Sequence, residues 1–120
     1  MTHQEFKEHL YTQFARIGKA LASSQRLAMI DLLAQGERSV EDLAREADLP
    51  VGSASQHLQV LRQAHLVTTR RDGLRIYYRL ADERVFDLWR DLCGVGERQL
   101  AEVAQLLETY QHQPEALEPL

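Results

Sequence analysis

The residues best suited to bind another molecule form a polar helix face followed by an arginine-rich hairpin. In a helix over 51–64, a step of about 100° per residue separates the polar residues from the apolar ones. The polar side consists of Gly52, Ser55, Gln56, Gln59 and Arg62. Small and amide side chains of this kind fit the major groove of DNA, where glutamine pairs well with adenine. The alternative interpretation is an ordinary solvated helix face.

The hairpin adds cations directly after this helix. Arg70, Arg71 and Arg75 are suited to contact phosphate or the minor groove, which positions a protein more than it specifies a sequence. The predicted DNA-contacting residues are Ser53, Ser55, Gln56, Gln59, Arg62, Arg70, Arg71 and Arg75.

The distribution of charge favours the same surface. The formal net charge is −4, which by itself argues against a nucleic-acid partner. Residues 51–80, however, contain five arginines and one aspartate, a local charge of +4 that leaves −8 for the rest. Phosphate affinity depends on the local basic face. A solvated basic hairpin is the alternative.

A helix-turn-helix over about 39–64 positions the polar face. Ser39 followed by Asp42 resembles a capping box, and Val40, Leu43 and Ala47 are predicted to face inward. The helix must stop before Pro50, so only about four residues separate it from the next helix, which ends near Ala64. The inner side of that helix is predicted to contain Ala54, His57, Leu58, Val60 and Leu61. His57 is therefore expected to be packed and hydrogen-bonded rather than a ligand or base contact.

A β-hairpin wing is predicted over about 66–80. Two β-rich runs, 67–71 and 74–79, flank Asp72-Gly73. This dipeptide predicts a two-residue turn with positive φ at both positions.

Two long amphipathic helices flank this unit, over about 5–21 and 83–110. The first has Phe6, Leu10, Phe14, Ile17 and Leu21 at helical spacing. The last has an apolar stripe interrupted by Gly94 and Gly96, which are expected to bend or loosen it. A second helix, capped by Ser23 or Ser24, is predicted to bury Leu27, Ile30 and Leu33 and to end at Gly36.

The predicted fold is mainly α with a small β-hairpin wing, a winged helix-turn-helix of order α-α-α-α-β-β-α. It forms one domain over 1–110, followed by a flexible tail over 111–120. The outer stripes are too long for a domain of this size to cover. A homodimer through the first and last helices is therefore expected, the alternative being that both pack on their own core.

Composition limits the class of protein. The chain has 120 residues and one cysteine, so it has no intrachain disulfide. No apolar run approaches the roughly 20 residues that span a bilayer, and MTHQEFKEHL lacks an apolar signal core. A cytoplasmic protein without a membrane partner is expected. No nucleophile elbow, phosphate loop or carboxylate pair favours an enzyme.

The sequence from ALASSQRLAMIDLL to GLRIYYRLAD closely resembles the core of ArsR/SmtB-type regulators over roughly residues 15–85. The most specific matches are ALA with Arg26-Leu27, the run SQHLQVLR at 55–62, and RDG with YYRL at 77–80. The resemblance implies a dimeric winged-helix repressor of operator DNA whose binding responds to a metal or thiol signal. His65 stands where the family usually has glycine, which implies a small stability cost.

The family's usual sensing residues are replaced. Its Cys-x-Cys pair corresponds to Ser39 and Glu41, which cannot replace thiolates for soft metals. Its last-helix Asp-x-His corresponds to Asp82 and Arg84, and arginine cannot bind metal. The later ligand positions fall near Val95 and Arg98.

Other residues remain as sensing candidates. Cys93 is either a small buried residue or a modifiable thiol at a dimer interface. Residues near both ends could form a nitrogen/oxygen site for nickel, zinc or cobalt if the outer helices pair. They are His3, Glu5, His9, Glu108 and His112.

The alternative functions are a winged-helix protein-interaction module and a metal-independent activator with little intrinsic sensing. Some relatives of this pattern have a sulfur-transferase domain after the last helix, so a stand-alone chain and an excerpt both stay open.

Overall fold

A computed structural model describes residues 1–112. Its elements, in chain order, are α1 (His3–Leu21), α2 (Ser24–Ala34), β1 (Arg38–Ser39), α3 (Val40–Glu46), α4 (Val51–Gln63), β2 (Val67–Asp72), β3 (Arg75–Leu80) and α5 (Glu83–Gln111). The mainly helical class with a hairpin wing is confirmed. Helix α5 ends one residue later than predicted, and most of the predicted tail (113–120) lies outside the described residues.

Side-chain caps begin four of the helices. Thr2 and Glu5 form a reciprocal capping box on α1, and Ser23 Oγ accepts the Arg26 N–H on α2. Ser39 Oγ accepts the Asp42 N–H at 3.1 Å, as the sequence predicts for α3. Asp82 Oδ1 accepts the backbone N–H groups of the second and third residues of α5. Each cap satisfies helix N–H groups that have no intrahelical acceptor.

The chain divides into two compact units, Met1–Phe86 and a second that begins at Asp87. The core of the first unit consists chiefly of Met29, Ile30, Leu33, Leu43, Leu58, Leu61 and Val67. Two predicted core positions are wrong. Leu27 is only half-buried while Met29 is fully buried, and Ala44 is buried while Ala47 is the C-cap of α3.

The wing is part of a three-stranded antiparallel sheet of order β1-β3-β2. Strand β1, which the sequence analysis does not predict, pairs Arg38 with Tyr78 and Ser39 with Tyr77. It fixes the base of the wing to the residues that begin α3.

The hairpin turn differs from the predicted one. Asp72 pairs with Arg75 at the end of the ladder, so the two loop residues are Gly73 and Leu74. Among non-glycine residues, positive φ occurs only at Asp48 and His65 within 1–112, whereas Gly73 has φ 63°. A glycine at the first loop position is typical of a type II′ turn. The predicted Asp72-Gly73 turn is therefore wrong by one residue.

Helix α5 is continuous through Gly94 and Gly96. A helix passes through glycine at a cost of about 1 kcal/mol each, which its other residues can offset. The expected bending or loosening at these glycines stays a prediction. Within residues 1–112, no helix is both long and apolar enough to cross a membrane.

Candidate nucleic-acid interface

The turn between α3 and α4 is fixed by a Schellman motif at Asp48. This residue has φ 55°, its N–H donates to Arg45 O, and the Leu49 N–H donates to Ala44 O. Aspartate tolerates the left-handed region better than most side chains. The four-residue connection from Ala47 to Pro50 is thereby confirmed as the short turn of a helix-turn-helix.

Helix α4 separates buried from exposed residues largely as predicted, with exceptions at Ser55 and Val60. Ala54, Leu58 and Leu61 are 0% exposed. Gln56, Gln59 and Arg62 are exposed, whereas Ser53 and Ser55 are half-buried. Val60, predicted to face inward, is 38% exposed, because it lies at the margin of the buried arc.

Arg26 connects three helices behind this surface. Its Nε and Nη2 donate to the carbonyls of Ala20 and Lys19 at the end of α1, at 2.6 and 3.1 Å. Its Nη1 lies 3.4 Å from His57 Nδ1. Because a guanidinium only donates, His57 accepts this bond at Nδ1. The half-buried His57 is thus packed and hydrogen-bonded, as predicted, and its bond to Arg26 helps to position α4.

Helix α4 ends in a second Schellman motif. His65 has φ 60°, its N–H donates to Arg62 O, and the Leu66 N–H donates to Leu61 O. Glycine adopts this conformation more readily than histidine, which gives a physical basis for the small stability cost expected here. The motif sets the direction in which the chain leaves α4 and enters β2.

The wing arginines lie on two faces of the hairpin. Residues paired across strands share a face, and successive residues alternate. The register Arg70–Tyr77, Thr68–Arg79 and Asp72–Arg75 therefore places Arg70, Arg75 and Arg79 on one face. Arg71, paired with Ile76, is on the other face.

Arg70 is held by an ion pair that the sequence analysis does not predict. Its Nε lies 2.9 Å from both Glu37 carboxylate oxygens, and its Nη2 lies 2.6 Å from Oε1. Its Cζ lies 4.4 Å from the centroid of the Tyr77 ring. The hydrogen bond from Arg70 lowers the pKa of Glu37, and the same bond raises the pKa of Arg70. One of the five cations in the basic segment is therefore already paired.

Arg38 orders the segment that presents Glu37. Its Nη1 donates to Leu32 O and Gly36 O at 2.6 and 2.7 Å, and its Nε lies 2.7 Å from Glu46 Oε2. These bonds attach the end of α2 to α3, so Glu37 extends from an anchored backbone.

The residues at the family's sensing positions have structural roles here. Ser39 is 0% exposed and caps α3, while Asp82 caps α5. Glu5, one of the predicted terminal ligands, accepts the Thr2 N–H at 2.8 Å.

Within 1–112, no three histidine, cysteine or acidic side chains are grouped to hold a metal. A site from His3, Glu5, His9, Glu108 and His112 stays a prediction that requires two chains, and the half-buried Cys93 stays an untested thiol candidate.

Comparison with known proteins places this architecture in a family. The family described as "Bacterial regulatory protein, arsR family" matches residues 23–69. A biofilm growth-associated repressor of Agrobacterium fabrum is 44% identical over 84 residues, which cover 70% of this chain and 72% of that protein. The chain belongs to the ArsR family.

Two mycobacterial proteins extend the ArsR match. The HTH-type transcriptional regulator Rv0324 of Mycobacterium tuberculosis is 47% identical over 98 residues, covering 82% of this chain but 43% of that protein. This chain thus spans less than half of that relative. The homodimeric winged helix-turn-helix DNA-binding domain Mb0332 (fragment 1–100) of Mycobacterium bovis superimposes with a TM-score of 0.78 and 42% identity. That match covers 85% of this chain and 93% of the domain.

The ArsR assignment agrees with the structural roles found above. The segment 23–69 contains the cap of α2, both helices of the helix-turn-helix and the start of the wing. Family and fold are those of transcriptional regulators.

Proposed function

We propose that this chain is a sequence-specific DNA-binding transcriptional repressor that acts as a homodimer in the bacterial cytoplasm. The observation that supports this most strongly is helix α4. Ala54, Leu58 and Leu61 are fully buried, while Gln56, Gln59 and Arg62 are exposed on a helix that follows one Schellman motif and ends in another. A rigid helix with exposed amides is suited to the major groove.

The wing supplies the electrostatic part of the proposed interface. Arg71, Arg75 and Arg79 are exposed, and such cations bind phosphate through counterion release. Arg70 joins them when a phosphate replaces Glu37, because both ligands are anions that accept two hydrogen bonds from one guanidinium. The serines Ser53 and Ser55 are placed near the start of α4, where helix residues contact base edges or backbone.

Exposed apolar stripes support a dimer. On α1, Phe6 and Phe14 are 53% and 56% exposed, and on α5 Leu100 and Leu106 are each 69% exposed. Several large apolar side chains exposed along one helix are typical of an interaction site. The M. bovis domain is homodimeric, and the Agrobacterium relative is named a repressor.

Fluorescence anisotropy on the promoter upstream of the chain's own gene tests DNA binding. The affinity should fall steeply with salt, with a log–log slope of about −0.9 for each phosphate contact. The protein-interaction module is the competing function. It would be favoured, and DNA binding rejected, by the absence of any complex at low salt.

A further inference from the structure

A groove of about 390 Å³ lies between the ends of α1 and α4 and the beginning of α2. Three cationic side chains line it, Arg16, Lys19 and Arg26. The remaining lining is apolar or neutral and consists of Ala20, Val60, Gln63 and Ala64. Its volume is within the range of about 300–1,000 Å³ found for small-molecule sites.

The positive charge in this groove has no carboxylate partner. Within residues 1–112, none of Arg16, Lys19 and Arg26 takes part in an ion pair. Arg26 is hydrogen-bonded, but to the backbone carbonyls of α1 and to a ring nitrogen of His57 rather than to a carboxylate. An anion in the groove would therefore meet two cations without an ion-pair partner, Arg16 and Lys19, and a third, Arg26, whose charge is offset only by backbone carbonyls.

We propose that this groove binds a small organic monocarboxylate with an apolar body. The carboxylate would lie among the cations, and the body would cover Ala20, Val60 and Ala64. Such a body would cover Val60, which lines the groove and is 38% exposed. A DNA phosphate is a less suitable occupant, since it belongs to a duplex and brings no apolar group into a concave surface.

Binding here would regulate DNA binding, a step that rests on the proposed function. Val60 and Gln63 lie on α4 itself, next to Gln59 and Arg62. An anion beside this part of α4 would oppose the approach of phosphate, and contact with Arg26 would disturb the bond that positions His57. The operator affinity should fall when the ligand is bound, and the two affinities must be coupled reciprocally.

Isothermal titration calorimetry on the intact chain tests the site without DNA. The compounds are 1-naphthoate, benzoate and octanoate, with the neutral 1-naphthamide and inorganic phosphate as comparisons. At least one carboxylate should bind with one site per chain, and for naphthoate the amide should bind at least about tenfold more weakly, as expected when a charged hydrogen bond is lost. Phosphate should also bind more weakly, because it has no apolar body.

Two variants locate the binding site. Arg16→Gln and Lys19→Gln, both exposed, should each weaken carboxylate binding about fivefold or more. Lys7→Gln, on the same helix but outside the groove, should change it less than twofold.

Three results would overturn the proposal. The first is that none of the three carboxylates binds saturably. The others are equal affinity for naphthoate and naphthamide, and equal losses of affinity in the Arg16, Lys19 and Lys7 variants. If the carboxylates bind but operator affinity does not change, the site stands and its regulatory role is rejected. Failure of the proposed function itself would appear only in the anisotropy experiment.

Discussion

The Arg70 guanidinium can be bound by Glu37, by the Tyr77 ring and, in the proposed complex, by a DNA phosphate. Glu37 holds it with bonds of 2.6–2.9 Å in a solvated setting, where such pairs contribute little to stability. The pair is therefore better understood as a competitor of DNA than as a structural support. Sequence analysis could not predict it, because 33 residues separate the two side chains and only the folded sheet brings them together.

Glu37→Gln should strengthen DNA binding. The substitution removes the anion that competes for Arg70, so one more phosphate contact forms and the log–log salt slope steepens by about 0.9. Fluorescence anisotropy over a salt series measures this slope. Glu41→Gln removes the same charge from an exposed residue of α3 and should leave the slope unchanged. Identical slopes for the two variants would contradict the competition.

The Glu37 carboxyl should titrate below its ordinary pKa of 4.5, because Arg70 hydrogen-bonds to its charged form. The pKa of Glu37 is thus lower in the folded chain than in the unfolded chain. The ion pair therefore contributes to stability at pH values above the unfolded-state pKa, and this contribution is lost as the pH falls through the folded-state pKa. Arg70→Gln should return the pKa of Glu37 toward its ordinary value, whereas Arg71→Gln, on the opposite face, should not. Carbon-13 NMR titration of the carboxyl measures both. An unshifted pKa in the unmodified protein would exclude the bond in solution.

Periodicity and capping chemistry predicted the helices. The elements that these patterns did not predict, or predicted wrongly, each have a local cause. The two residues of β1 are too few to show alternation, and one of them, Ser39, has the sequence pattern of a helix cap. The Schellman motif at Asp48 lacks the glycine that usually marks one. At the hairpin, the ladder register rather than the Asp-Gly dipeptide decides which residues form the loop, since Asp72 is still paired.

The end of α4 provides a stability test. His65→Gly should raise the free energy of unfolding by about 0.5 kcal/mol, because glycine adopts φ near 60° without strain. Ala64→Gly should lower the free energy of unfolding by about 0.5–1 kcal/mol. Ala64 has φ −84°, which is unstrained for alanine, so glycine relieves no strain and only increases the conformational entropy of the unfolded chain. Urea denaturation at one fixed protein concentration compares them. A change of the same sign in both variants would contradict the assigned strain at His65.

At the scale of the whole molecule, α1 and α5 expose many large apolar side chains, which is unusual for a protein that stays monomeric. Spacing predicted those stripes and a single last helix over about 83–110, which continues through its glycines because helix formation is cooperative. The predicted interface through the first and last helices is a property of two chains. The sequence specifies the apolar surface that is available for this interface.

Leu100→Glu should convert the dimer to a monomer. Leu100 is 69% exposed, so the substitution leaves the monomer core intact while placing a charge in the proposed interface. Size-exclusion chromatography with light scattering gives the mass. Gln105→Glu adds the same charge to exposed α5 and should remain dimeric. A dimeric Leu100→Glu variant would remove this part of α5 from the interface.

The most direct test of the proposed function compares Gln59→Ala with the unmodified chain on two duplexes, the promoter of its own gene and a shuffled sequence of equal composition. The account predicts that the unmodified chain prefers the promoter. Gln59→Ala should lose about 1–3 kcal/mol on the promoter with little change on the shuffled duplex, because phosphate contacts remain. Equal affinity of the unmodified chain for both duplexes, or an equal loss on both in the variant, would contradict base recognition by α4.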